Sequence, residues 1–216
     1  MAYTIHQIAV GGFDDNFSYV IAEAHLRQAF IVDPSGDFTK VTSLITSNDY
    51  KIEGILLTHT HHDHLDQMNT AKKTYDAPIY VYEAGVAAVA EFTDVHALTD
   101  GMKIPLGTGH INVIYTPGHI DDAVCFYIMA EEADDGIPKV ITGDTLFVGG
   151  CGRTTELRVK DLYESLCELA NLPNETMVFP GHDYGDTPTS SIGREKATNR
   201  FYQAKNFNEF KRLRLG

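Results

Sequence analysis

The sequence predicts an α/β (α+β) fold. Three observations carry the prediction. Strand-like apolar runs alternate with segments of helical periodicity, the opening reads as a β-meander, and four separate apolar runs stop at histidine or aspartate, where an α/β protein places its chemistry.

Residues 3 to 10 alternate as a strand does, residues 11 to 16 make a glycine- and aspartate-rich loop, and 19 to 22 and 29 to 32 read as short strands. Asp33-Pro34-Ser35-Gly36 is a turn, and Phe38, Val41, Leu44 and Ile45 fall at helical spacing. A strand over 54 to 58 delivers Thr58-His59-Thr60-His61-His62-Asp63-His64. A helix is expected over 63 to 75, a strand over 78 to 81, and an alanine- and valine-rich helix over 83 to 92. After the turn at Asp100-Gly101, a strand over 111 to 115 breaks at Thr116-Pro117-Gly118-His119. Strands over 123 to 129 and 139 to 142 follow, the second ending in Gly143-Asp144, then the loop 148 to 153, a helix over 160 to 169, and a strand over 176 to 179 ending in Pro180-Gly181-His182.

The totals bound the function. A chain of 216 residues with 43% hydrophobic composition has an ordinary core without staples. Its formal charge of −13 disfavours nucleic acid and anionic membranes as partners. Three scattered cysteines argue for a reducing, cytoplasmic setting, and neither a basic leader nor a long apolar run is visible. Cys125 and Cys167 read as small core residues, while Cys151, beside the glycine-rich loop, reads as exposed.

His59, His61, Asp63 and His64 are packed densely enough to suggest a cation that organises them, and nitrogen with oxygen ligands suits Zn, Mn or Fe. One histidine after a strand is ordinary. With aligned strand ends, however, His59, His61, Asp63, His64, His119, Asp144 and His182 converge on one edge and suffice for two metals sharing a carboxylate.

The ordered set Thr58 to His64, Thr116-Pro117-Gly118-His119, Gly143-Asp144-Thr145 and Pro180-Gly181-His182 resembles the metallo-β-lactamase superfamily, over roughly residues 3 to 190. The resemblance implies a four-layer αββα sandwich. It implies a first metal on His59, His61 and His119, a second on Asp63, His64 and His182, and Asp144 bridging both. His6, His25, His62, His96 and His110 match no ligand of that family and are read as structural or exposed. Two divalent ions about 3.5 to 4 Å apart, zinc first with iron or manganese also compatible, would acidify a shared water and polarise a carbonyl. Asp63 would orient that water and take its proton.

Residues 143 to 153 and Asp15-Asn16-Phe17-Ser18-Tyr19 are similar to glyoxalase II, the hydroxyacylglutathione hydrolase, which implies hydrolysis of a small anionic thioester by metal-bound hydroxide. By the same likeness Arg153 and Tyr184 bind substrate, against the plainer readings of a cap or surface ion pair and of packing. Thr154 and Thr155 stand where that family has aromatic residues, and 34 residues follow His182, too few for its C-terminal helical domain. His182-Asp183-Tyr184 with Ser190, Ser191, Glu195 and Asn199 instead resembles persulfide dioxygenases, which implies a single iron at the first site. A redox or binding protein is a third reading, and it lacks the cofactor domain it would need. Superfamily nucleases and secreted lactamases fit an acidic, leaderless chain poorly.

One domain is therefore expected over 1–190, with a basic helix or tail over 191–216. That tail carries Arg194, Lys196, Arg200, Lys205, Lys211, Arg212 and Arg214 against Glu195 and Glu209. It reads as a solvated helix and frayed end, or as a surface that draws an anionic substrate or docks a second subunit in a homodimer.

Overall fold

The computed structural model describes residues 3–216, so the first two positions of the expected 1–190 domain lie outside the described residues. Along the chain come β1 (Tyr3–Gly11), β2 (Asn16–Glu23), β3 (Gln28–Val32), α1 (Phe38–Ser47), β4 (Lys51–Leu56), α2 (His62–Leu65), α3 (Met68–Tyr75) and β5 (Ile79–Tyr82). A 3-10 helix (Glu83–Val89) leads to β6 (Val95–Leu98), β7 (Lys103–Leu106), β8 (Gly109–Tyr115), β9 (Val124–Ile128) and β10 (Lys139–Gly143). The hairpin β11 (Leu146–Phe147) and β12 (Gly150–Cys151), α4 (Val159–Leu169), β13 (Met177–Pro180), β14 (Ser190–Ser191), α5 (Ile192–Thr198) and α6 (Phe207–Leu215) complete it.

Two six-stranded sheets stack, in the orders β1-β2-β3-β4-β5-β6 and β14-β13-β10-β9-β8-β7. Strand β2 is buried along its whole length, as a strand covered on both faces must be. The core between the sheets joins Phe17, Tyr19, Ile21 and Phe30 of the first to Ile111, Val113, Phe126 and Ile141 of the second. Helices α1 and α3 cover the outer face of the first sheet with Val41, Ile45, Met68 and Ala71. On the other side α4 packs Leu162, Leu166 and Leu169 against Val140 and Val178. The four layers expected from the resemblance are present.

The sheets are tied together at one edge. Phe17 N–H donates to the Gly181 carbonyl, and Val124 N–H to the Thr58 carbonyl, each at 2.8 Å. Backbone groups of strands from opposite sheets thus satisfy one another where β4, β8, β10 and β13 end.

Several local expectations are corrected. The helix over 63 to 75 is two helices, because Asp66 and Gln67 turn aside: the Asp66 carboxylate accepts from Gly36 N–H, and Gln67 N–H donates to the Pro34 carbonyl. The helix expected over 83 to 92 is instead a tight 3-10 helix over Glu83–Val89 despite its α propensity, since Gly85 is pressed against Val81 and Asp122. Strands β6, β7 and β14 are too short to announce themselves, and β7 carries Pro105 at a sheet edge, where a missing N–H is tolerated.

The C-terminal segment is not frayed. Ile192, Phe201 and Phe210 are buried against α4, while most of the basic side chains face outward. Among the cysteines, Cys125 is buried as expected, and the other two exchange places. Cys167 is exposed because the buried stripe of α4 runs through 159, 162, 165, 166 and 169 and misses it. Cys151 is buried because β12 pairs with β11 over the core shared with Leu162 and Phe201.

Candidate metal centre

The four strand ends deliver their side chains to one place. His59, His61 and His119 form one group and Asp63, His64 and His182 another, with potential ligand atoms within 4.8 Å of one another in each. In the first, His61 Nδ1 lies 3.2 Å from His59 Nε2 and 2.8 Å from His119 Nε2. In the second, His64 Nε2 lies 3.2 Å from His182 Nε2. Asp63 Oδ2 is 3.5 Å from His64 Nε2 and 3.4 Å from His182 Nε2. Asp144 spans the groups: its Oδ1 is 3.2 Å from His182 Nε2 and 3.3 Å from His64 Nε2, and its Oδ2 is 3.5 Å from His119 Nε2.

The far sides of the rings fix which nitrogen faces inward. His119 Nδ1 donates to the Arg153 carbonyl at 2.8 Å and His182 Nδ1 to the Asp14 carbonyl at 2.7 Å. A carbonyl only accepts, so both protons sit on Nδ1 and both Nε2 lone pairs face the cluster. His64 Nδ1 donates to Asp33 Oδ2 at 3.0 Å. Thr58 gives its hydroxyl proton to the same carboxylate at 2.5 Å, so its oxygen accepts from His59 Nδ1 at 3.1 Å. Asn16 Nδ2 donates to Asp63 Oδ2 at 3.0 Å.

Inward-facing lone pairs about 3 Å apart repel unless a proton or cation lies among them. Asp144 Oδ1 is also buried without a hydrogen-bond partner. Imidazole and carboxylate donors in this arrangement fit divalent transition metals. At His59, His119, Asp63 and Asp144 the electrostatics point the same way. Burial, then the charge of His64, holds His59 well below its ordinary pKa, and burial lowers His119. Burial opposes charge on His64 and His182, but Asp144, joined at His64 by Asp33, outweighs it and raises both. Against burial, His64 and His182 hold the Asp144 carboxyl well below the usual range, and the Asn16 hydrogen bond and His64 lower Asp63. His59 and His119 are thereby held toward the neutral form and Asp63 and Asp144 toward the ionised one, as metal ligation requires.

The other histidines stay outside the cluster. His62 is exposed and meets Phe13 edge-on at 5.5 Å, His6 contacts Tyr50, His96 pairs with Asp94, and His110 pairs with Glu132. His25 is exposed. Arg153, whose backbone carbonyl holds His119, is exposed, and its guanidinium makes no ion pair among the described residues. Tyr184 stacks on His182 with ring centroids 4.7 Å apart, and its hydroxyl donates to the Asp14 carboxylate. Sequence reasoning missed Asp33, which is 1% exposed and accepts from Thr58 N–H as well as from the Thr58 hydroxyl and His64. Its signal was the one used elsewhere: a carboxylate directly after an apolar strand.

Two sheets between helical layers, with a histidine and aspartate cluster at the edge where their strands end, define a class of metal-binding αββα proteins. Residues 11–182 match the family model described as metallo-beta-lactamase superfamily, and the chain belongs to that superfamily. It is 29% identical to a probable polyketide biosynthesis zinc-dependent hydrolase, BaeB, of Bacillus velezensis, over 98% of this chain and 93% of that one. It is 38% identical over 172 residues to the cytoplasmic hydroxyacylglutathione hydrolase of Arabidopsis thaliana; the match takes in 79% of this chain and 64% of that relative's length. The crystal structure of ETHE1 from Myxococcus xanthus superposes with a TM-score of 0.82 at 27% identity, over 100% of this chain and 91% of that one. Among the described residues no helix is long and apolar enough to cross a membrane.

Proposed function

We propose that this chain is a cytoplasmic metal-dependent hydrolase that cleaves a small anionic, hydroxyacylglutathione-like thioester. His59, His61 and His119 hold one divalent ion, Asp63, His64 and His182 a second, and Asp144 lies between them. The observation that carries the reading is the placement of Asp144, whose two oxygens face different groups of ligands. The names of the relatives support hydrolysis of a thioester and favour zinc, with iron or manganese also compatible with the donor set.

When bound, such ions supply Lewis acidity, which acidifies water and polarises a carbonyl. The side chains supply the rest. Asn16 fixes the Asp63 carboxylate so that one oxygen can orient the attacking water and take its proton. Water oxygen bonds to the thioester carbon, the C–S bond breaks, and the products are a carboxylic acid and a thiol. Arg153 offers an unpaired guanidinium to an anionic group of the substrate. Tyr184, its hydroxyl occupied by Asp14, offers its ring at the rim.

A second reading, a persulfide dioxygenase with one iron on the first group, draws support from the segment after His182. There Glu195 accepts from Ser190, Asn199 and Gly149 N–H and so holds the loop beside Phe147. The test compares thiol release from S-lactoylglutathione under nitrogen with oxygen uptake on glutathione persulfide by iron-loaded protein. The hydrolase reading expects thiol release without oxygen. Oxygen uptake with no thiol release would replace it by the dioxygenase.

A further inference from the structure

Behind the cluster lies a carboxylate that the proposed reaction does not use. Asp122 is 3% exposed. Its Oδ2 accepts from the Thr60 hydroxyl at 2.5 Å, and its Oδ1 is buried without a hydrogen-bond partner. No cation pairs with it among the described residues, whereas the adjoining Asp121 accepts at Oδ2 from Arg158 Nη2 at 2.6 Å. Gly85 closes another side, since a Cβ there would stand 2.4 Å from Asp122 Oδ2 and 3.0 Å from Thr60 Cγ2.

A buried carboxylate with one oxygen unsatisfied is costly, and a single hydroxyl donor does not offset that cost for stability alone. Its position in the chain supplies a reason. Thr60 sits between His59 and His61, and Asp122 follows His119 by three residues, in the turn before β9. One side-chain hydrogen bond therefore joins the two loops that carry the first group of ligands.

That bond matters most for His61. The rings of His59, His64, His119 and His182 are each tied on the side away from the cluster, to Thr58, Asp33, Arg153 and Asp14. The hydrogen bonds of His61 involve only Nδ1, toward the other ligands. Among the described residues nothing orients its far nitrogen, so its placement depends on the backbone that Thr60 anchors.

We infer that Asp122 is a positioning residue for the first metal site, acting through Thr60 to hold the His59–His61 loop at a fixed spacing from the His119 loop. The inference rests on the reading of the cluster as a metal centre and is independent of the substrate. The second group has its own supports in Asp33, Asn16 and Asp14, so the effect is confined to the first.

The test is a chelator-buffered zinc titration of the full chain, followed by native mass spectrometry. Asp122→Ala is expected to weaken by about 10- to 100-fold, the usual effect of losing an outer-shell partner, the one binding step that His119→Ala abolishes and His182→Ala spares. Thr60→Val should weaken the same step, and the double variant should be no worse than either single one, as for two ends of one interaction. Asp122→Asn keeps an acceptor for Thr60 and should recover most of the affinity. In cobalt-substituted protein the absorption of that step should shift in Asp122→Ala and return in Asp122→Asn. Should Asp122→Ala fail to fold, Asp122→Asn and Thr60→Val carry the comparison. Unchanged affinity at that step, equal weakening of both steps, or an Asp122→Asn as impaired as the alanine variant overturns the inference alone. A wild type that binds no zinc overturns the metal reading and this inference with it.

Discussion

Asp33 Oδ2 lies 3.0 Å from His64 Nδ1, and both side chains are buried. Because the carboxylate accepts a hydrogen bond from Nδ1–H and keeps the proton on that nitrogen, the Nε2 of His64 is committed to the cluster. Asp33→Ala should therefore lower metal affinity by about 10- to 100-fold although Asp33 is outside the proposed ligand set. Competition with a chromophoric chelator measures this; an unchanged affinity would show that His64 is oriented by packing alone.

Arg153 and the proposed ligands should separate binding from chemistry. Arg153→Ala should leave metal content intact and raise KM for an anionic thioester about tenfold, roughly the 1.5 kcal/mol of a hydrogen bond to a charged group. Steady-state kinetics beside elemental analysis checks both halves. A fall in kcat at unchanged KM would move Arg153 from binding into the chemical step.

Gly152 has no room for a side chain. A Cβ there would stand 2.0 Å from the Asp144 carbonyl oxygen and 3.0 Å from His119 Cβ. Backbone on one side and a proposed ligand on the other leave no direction in which to relax. Gly152→Ala should displace one or both, lose metal, and destabilise the fold by about 1–3 kcal/mol, read from metal content and a urea midpoint.

Phe210 tests the packing of the C-terminal helices. Its ring is fully buried, 5.2 Å from Tyr163 and 5.8 Å from Phe201 between ring centroids. Phe210→Ala should cost about 3–5 kcal/mol of stability and leave metal stoichiometry unchanged in the folded protein. Denaturant unfolding followed by circular dichroism measures the loss. A loss near zero would mean that the segment contributes little to the fold.

Much of this architecture can be read from the chain because its signals are local. His59, His119, Asp144 and His182 each follow an apolar strand closely, so one rule locates all of them. The rule fails where one letter serves two purposes. Asp33 in Asp33-Pro34-Ser35-Gly36 reads as turn chemistry, and only the pairing of β3 with β4 reveals that its carboxylate reaches Thr58 and His64. Asp122 is hidden likewise, since its contact with Thr60 spans 62 positions of sequence. Boundaries are lost where tertiary contacts decide them. Gly85 against Asp122 tightens the 3-10 helix, and the hold of Pro34 and Gly36 on Gln67 and Asp66 divides α2 from α3. The basic C-terminal segment misleads because charge dominates its composition, whereas Ile192, Phe201 and Phe210 decide where it packs.

The measurement that bears most directly on the proposed two-ion centre is metal stoichiometry by elemental analysis, on gently purified and remetallated protein beside the Asp144→Ala variant. The wild type should hold up to two transition-metal ions per chain, and Asp144→Ala should lose metal and thioesterase activity together. A wild type without metal after remetallation, or a fully metallated and fully active Asp144→Ala, would contradict it.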